Sequence, residues 1–242
     1  MTQNIYDDPS FFAAYATLPR SQGGLDAAPE WPTLRDMLPD VRGRRVVDLG
    51  CGYGWFSRWA ATQGADTVLG IDVSERMLAR AHEEPHERIV YERQDLETLA
   101  LPDKAFDIAY SSLTLHYLHD LEHTLRVVRQ ALTDDGTLVC SVEHPIFTAP
   151  SHPGFVDQPD GKIAWPLDGY LIEGPRRTNW LTDGVVKQHR TIATYIRLLQ
   201  GSGFALRRLV EWGPNDGDLS AHPEWAVEVH RPAFLLLAVD PV

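Results

Sequence analysis

Val46-Val47-Asp48-Leu49-Gly50-Cys51-Gly52-Tyr53-Gly54-Trp55-Phe56-Ser57-Arg58-Trp59 is the stretch whose reading decides the fold. Val46–Leu49 is a short apolar run that stops at glycines, the pattern of a buried strand ending in a sharp turn. Trp55–Ala61 continues as a helix. Glycines in the turn let a ligand approach the backbone without meeting Cβ atoms, and the helix that follows aims its free N–H groups and positive dipole end at the same place. Asp48 closes the strand, where its carboxylate can receive an ammonium or an ordered water. Thr67–Ile71 reads as the next strand, and Asp72 follows it 24 residues after Asp48 (72 − 48). A carboxylate at that strand end can accept both hydrogen bonds of a ribose diol.

Outward from this unit the strand–helix alternation continues. Ser74 is a good N-cap for a helix that buries Met77, Leu78 and Ala81. Strands are predicted at Ile89–Arg93, Phe106–Ser111 and Thr137–Val142. Between the last two, Leu121, Leu125, Val128 and Leu132 share one helical face, and Asp134-Asp135-Gly136 reads as the following turn. Such alternation implies right-handed βαβ units and a doubly wound, mostly parallel α/β sheet. Residues 144–186, rich in Pro, Gly and Trp, break the rhythm and read as a loop-rich insertion. Thr191–Gln200 is then a helix. Ala205–Glu211 and Ala233–Val239 are the last two strands, expected to pair as an antiparallel hairpin at the sheet edge. Upstream, the first 44 residues mix aromatics with turn formers, with a helix over Trp31–Leu38 started by Pro32. The whole is expected to be one domain, 1–242: a lead-in or lid (1–44), a nucleotide-binding core (45–143), a substrate-side insertion (144–186), and a C-terminal helix and hairpin (187–242).

Composition narrows the partners. The 242 residues carry a net charge of −12, which argues against broad binding to nucleic acid or anionic membranes. Cys51 and Cys140, the only cysteines, give neither a disulfide framework nor metal-ligand spacing. The N-terminus lacks a secretory pattern, and no apolar run approaches the roughly 20 residues that span a bilayer. These features predict a cytoplasmic protein without a metal. His82-Glu83-Glu84-Pro85-His86 matches the H-E-x-x-H zinc motif literally, but Pro85 breaks the continuous helical face that motif requires.

A dinucleotide site is the sharpest competitor for the glycine turn. Its fingerprint needs a third glycine where Trp55 stands, and Trp55 would crowd a pyrophosphate. The terminal hairpin also replaces the second mononucleotide-binding half.

At these residues the chain resembles the class I S-adenosylmethionine-dependent methyltransferases, particularly their small-molecule, ubiquinone/menaquinone-methyltransferase-like group. VVDLGCGYGWFSRWA (46–60) looks like the family's first motif and LGIDVSERML (69–78) its second. The similarity continues through 92–118 and 131–145. It implies a Rossmann-like seven-stranded sheet with an antiparallel last strand, and S-adenosylmethionine as cofactor with S-adenosylhomocysteine as product. It further implies that Asp48, Gly50, Cys51 and Gly52 cradle the methionine portion, largely through backbone atoms. Asp72 would take the ribose, Val73 and Met77 the adenine, Asp95 and Leu96 the adenine amino edge. Ser111 would approach the methyl end, while Tyr15 and Arg20 resemble residues that close over the cofactor, Arg20 by a salt bridge from its guanidinium to the cofactor's carboxylate.

Methyl transfer needs alignment, plus a base only where the acceptor loses a proton. The candidates are His116, Glu143 and His144, the last two following the fifth strand, where open α/β sheets place substrate. His189 and Arg190 open the next helix, and Arg190 could clamp a carboxylate or phosphate. Trp165, Tyr170, Trp180 and Trp212 are candidates for an apolar acceptor wall. The expected activity is methyl transfer from S-adenosylmethionine to an N, O or C centre of a small molecule. The alternatives are an NAD(P)-dependent oxidoreductase and a non-catalytic binder of S-adenosylmethionine or S-adenosylhomocysteine.

Overall fold

The computed structural model describes Gln3–Val242, so Met1 and Thr2 of the lead-in lie outside the described residues. Three short helices open the chain: α1 (Pro9–Tyr15), α2 (Pro19–Gly23) and α3 (Trp31–Met37). Each has a proline in its first turn, where the missing N–H has no helical partner to lose. The core then alternates β1 (Arg45–Leu49), α4 (Trp55–Thr62), β2 (Thr67–Asp72), α5 (Glu75–Ala81), β3 (Ile89–Arg93), β4 (Phe106–Ser112), α6 (Leu121–Ala131) and β5 (Leu132–Glu143). Ser74 caps α5 as its sequence implies, its hydroxyl accepting from the Met77 N–H at 3.1 Å. The helix stops at Ala81, so His82 and His86 share no helical face. No metal-binding cluster occurs among the described residues.

After β5 the chain forms α7 (Pro145–Thr148), the ribbon β6 (Val156–Asp157) with β7 (Ile163–Ala164), and the longer ribbon β8 (Gly174–Trp180) with β9 (Thr182–His189). The segment expected to be loop-rich is therefore half hairpin. The chain ends with α8 (Ile192–Gly201), β10 (Phe204–Trp212), α9 (Asp216–Ala221), a 3-10 helix over Pro223–His230, and β11 (Phe234–Pro241).

Seven strands form one sheet in the order β10-β11-β5-β4-β1-β2-β3. Strands β1 to β5 run parallel to one another, while β11 is antiparallel to both β5 and β10. The last two strands do pair, but only β10 is at the edge; β11 is wedged between β10 and β5. Asp134–Gly136, expected as a turn, lie inside β5, where the register against β4 jumps from Phe106↔Leu132 to Ile108↔Thr137. The extra residues bulge rather than end the strand.

Alternate residues feed two cores. Leu138, Cys140 and Val142 of β5 and Leu235, Leu237 and Val239 of β11 face α6 and α8. Val139, Leu236 and Ala238 face the opposite layer, built with Trp31, Leu34 and Phe56 of α3 and α4. No helix among the described residues is long and apolar enough to cross a membrane.

Leu237 is 1% exposed in the strand that welds the edge to the parallel core. Leu237→Ala is expected to cost about 2–5 kcal/mol, read as a lowered urea midpoint at unchanged slope.

Candidate functional site

Strand ends β1, β2, β4 and β5 open onto one cavity of about 420 Å³, lined by Gly50, Gly52, Asp72 and Ser112 at one end and Glu143, Trp180 and Trp212 at the other. The turn that forms its floor holds Gly50, Gly52 and Gly54 at φ of 76°, 53° and 75°. Two of these glycines are demanded by packing. A Cβ on Gly50 would strike Thr114, and one on Gly54 would strike Tyr91. At Gly52 a Cβ would meet nothing within 4 Å, so that backbone faces open cavity space.

The N–H groups of the turn are mostly spent on the protein itself. Those of Gly50 and Cys51 donate to the Ile71 carbonyl at 2.8 and 2.9 Å. The Gly52 N–H donates to Asp72 Oδ2 at 2.9 Å, and the Ser74 N–H to Asp72 Oδ1 at 2.9 Å. Asp72 is thereby fixed at the strand end with lone pairs left over. Burial pushes its carboxyl up to about 6 despite these bonds. Val73, Met77, Asp95 and Leu96 continue the same wall. The Asp95 carboxylate also accepts from the Glu97 N–H at 3.0 Å, capping a 3-10 turn.

A smaller space of about 100 Å³ shares Tyr15, Arg20, Gly50, Gly52 and Ser112 with the cavity and is also lined by Asp48, Cys51 and Trp55. Asp48 is buried, accepts from Ser57 Oγ at 2.7 Å, and is pushed up to about 7 by burial. The Trp55 indole N–H is buried here with no partner. Arg20 donates to both Glu30 oxygens, at 2.8 and 2.9 Å, so its charge is already matched within the chain. The lead-in closes over both spaces. Asp7 accepts from Ser74 Oγ at 2.6 Å, and the Tyr6 and Tyr117 hydroxyls lie 3.2 Å apart.

At the far end Glu143 and Lys187 pair at 2.5 Å. His116 is buried and lines the cavity. Burial, then the charges of Lys187 and Arg190, hold it well below its ordinary range, so it is neutral. Its Nδ1 accepts from the Glu143 N–H at 3.4 Å, which assigns the proton to Nε2 and makes His116 a donor toward its surroundings. Leu113, beside it in the wall, adopts φ of 51°, a strained conformation of the kind that gathers at functional sites.

Several expected residues are elsewhere. Ser111 is fully buried, donating to the Leu49 carbonyl at 2.9 Å; its neighbour Ser112 faces the cavity because β4 alternates. His144 is 0% exposed, with Nδ1 accepting from the Ile146 N–H and Nε2 donating to Glu211 at 2.8 Å. Both nitrogens are spent on capping α7 and on that ion pair, which removes it from the base candidates. His189 donates to the Tyr170 carbonyl and accepts from the Thr148 hydroxyl, each at 2.8 Å. Arg190 is buried and donates to the Leu118 and His119 carbonyls. It is a staple between segments, not an anion clamp. Trp165 and Tyr170 do not line the cavity. Trp165 instead stacks under the Arg231 guanidinium, 4.4 Å from its ring centre.

Arg231, Lys187, Trp225 and Phe234 were missed. Arg231 is 7% exposed, caged by Phe147, Phe155 and Trp165 and paired with Glu228 at 2.8 Å. Lys187 lies two residues from both Val185 and His189 in β9, and strand alternation puts all three on one buried face.

A Methyltransferase domain family model matches residues 47–140. The crystal structure of an S-adenosylmethionine-dependent methyltransferase from Mesorhizobium loti is 53% identical, covers 90% of this chain and 100% of that one, and superposes with a TM-score of 0.87. The chain belongs to the S-adenosylmethionine-dependent methyltransferases. An uncharacterized Haemophilus influenzae protein is 32% identical over 99% of this chain and 97% of its own. The 27-O-demethylrifamycin SV methyltransferase of Amycolatopsis mediterranei is 34% identical over 43% of this chain and 40% of that one. The enzyme's cofactor is S-adenosylmethionine, and the oxidoreductase alternative is set aside. The site fits that group: open space above Gly52 and an ionisable carboxyl at Asp72 face the cavity, and an unpartnered donor at Trp55 lies on the adjoining smaller space.

Because Asp48 titrates near 7 when folded and near 3.8 otherwise, ionising it opposes folding increasingly as pH rises between those values. Asp48→Asn, whose amide oxygen can still accept from Ser57, is expected to exceed the cofactor-free wild type in stability at pH 8 by more than about 1.4 kcal/mol, one pKa unit's equivalent. The difference should vanish near pH 4 in thermal melts.

Proposed function

We propose that this enzyme methylates an N, O or C centre of a small-molecule acceptor held between Glu143 and the aromatic wall of Trp180 and Trp212. The observation that carries this is the single cavity joining the glycine turn to that wall, with a volume in the range of small-molecule sites. The net charge of −12 adds support, as does the rifamycin-directed name of one relative.

When bound, S-adenosylmethionine supplies an electrophilic methyl group on a sulfonium sulfur. In this proposal Asp72 accepts from the ribose hydroxyls, and Val73 and Met77 pack on the adenine, with Asp95 and the Leu96 backbone at its amino edge. Asp48, Arg20 and the free Trp55 N–H surround the methionine end, and Tyr15 closes above it. Gly50, Cys51 and Gly52 contribute mainly by leaving room. Glu143 takes the proton of an O–H or N–H acceptor as its lone pair is aligned with the methyl carbon. His116, held neutral with Nε2–H, donates to the acceptor or positions Glu143 through the backbone. Exclusion of water by the lead-in strengthens each of these interactions. The four segments from lead-in to hairpin act as one domain.

Low-molecular-mass extract fractions, assayed by S-adenosylhomocysteine release, are expected to contain the acceptor. Glu143→Gln should slow turnover of an O–H or N–H acceptor about 10²–10⁴-fold while leaving S-adenosylhomocysteine affinity unchanged. Release that occurs only with a nuclease- or protease-sensitive fraction would count against a small-molecule acceptor.

A further inference from the structure

Glu143, Trp180 and Tyr117 converge at the acceptor end of the cavity. A carboxylate flanked by aromatic faces is what a positively charged ligand group seeks, since the rings present their negative faces and the carboxylate matches the charge. Here the position is filled from inside the protein. The Lys187 ammonium lies 4.6 Å from the Trp180 ring centre, 6.0 Å from that of Tyr117, and 2.5 Å from Glu143 Oε1. Lys187 is 3% exposed and does not itself line the cavity. It is delivered by β9, whose alternation buries Val185, Lys187 and His189 together. Glu143 Oε2 meanwhile is buried and has no partner.

We propose that Lys187 determines specificity at the acceptor end by occupying the cation position of the Glu143–Trp180–Tyr117 box, so that the site rejects acceptors carrying a positive charge there and takes neutral ones that donate a hydrogen bond to Glu143. A second cation entering the wild-type box would meet Lys187 at close range and find its carboxylate already matched. A neutral hydroxyl or amide N–H meets no repulsion and satisfies Oε2, whose lack of a donor is costly in a buried setting. The inference rests on the small-molecule reading above and deepens it by naming the charge class of the acceptor.

The test uses tetramethylammonium chloride as probe, titrated calorimetrically against the full chain with S-adenosylhomocysteine saturating the cofactor end and sodium chloride as ionic control. Wild type should bind it only weakly. Lys187→Ala should bind tetramethylammonium at least about tenfold more tightly, and Lys187→Arg should exclude it again. Should the uncompensated carboxylate unfold Lys187→Ala, the double variant with Glu143→Ala leaves no charge unpaired. That variant should still gain about threefold over wild type through the rings alone. Saturable binding to wild type at the same affinity, or a folded variant of either kind that does not bind, overturns the proposal. If no form binds S-adenosylhomocysteine, the cofactor site is what fails, and the same titrations run without it still decide the box.

Discussion

Asp72 receives the Gly52 N–H on one oxygen and the Ser74 N–H on the other, each at 2.9 Å, and those two bonds set the positions of three separate segments. The first ties the glycine turn after β1 to the end of β2. The second fixes the start of α5, where Ser74 turns its hydroxyl to the Met77 N–H and to Asp7 of the lead-in. Floor, wall and lid of the cofactor end thus hang on one carboxylate. Its burial, which pushes it up to about 6, is the electrostatic cost of that placement. A bound diol would offset that cost by donating to the ionised form.

How much of this could be read from the sequence differs between the two ends of the cavity. Around Asp48, Gly50, Gly52 and Asp72 the chain is nearly continuous in sequence and in space. Strand, turn and helix chemistry therefore sufficed to put those residues at the ends of β1 and β2 and in the turn between β1 and α4. Even there one detail was out of reach: Gly50 and Cys51 spend their N–H groups on Ile71, a partner on the neighbouring strand. Ser111 and Ser112 show the same limit, because a one-residue choice of strand face decides which of them meets the cavity.

The end of the cavity around Glu143 is assembled from β5, the β8–β9 ribbon and the 3-10 helix before β11, segments far apart in sequence. Titratable residues there looked alike in the sequence, and burial gave them different roles. His144, His189 and Arg190 were drawn inward as staples by backbone and side-chain partners that no local pattern reveals. Lys187 and Arg231, residue types that are ordinarily solvated, became buried members of aromatic cages. The terminal hairpin was legible from two apolar runs, yet its insertion beside β5 depends on β11 offering Leu, Ala and Val to both cores.

The glycine turn and Asp72 are proposed to hold a sulfur nucleoside rather than a dinucleotide. Calorimetric titration of the purified chain with S-adenosylhomocysteine and with NAD, on wild type and Asp72→Ala, tests it most directly. Saturable S-adenosylhomocysteine binding is expected, weakened at least about tenfold by the substitution through loss of charge-assisted hydrogen bonds, with no NAD binding. NAD binding with no response to S-adenosylhomocysteine, or an affinity indifferent to Asp72, would contradict it.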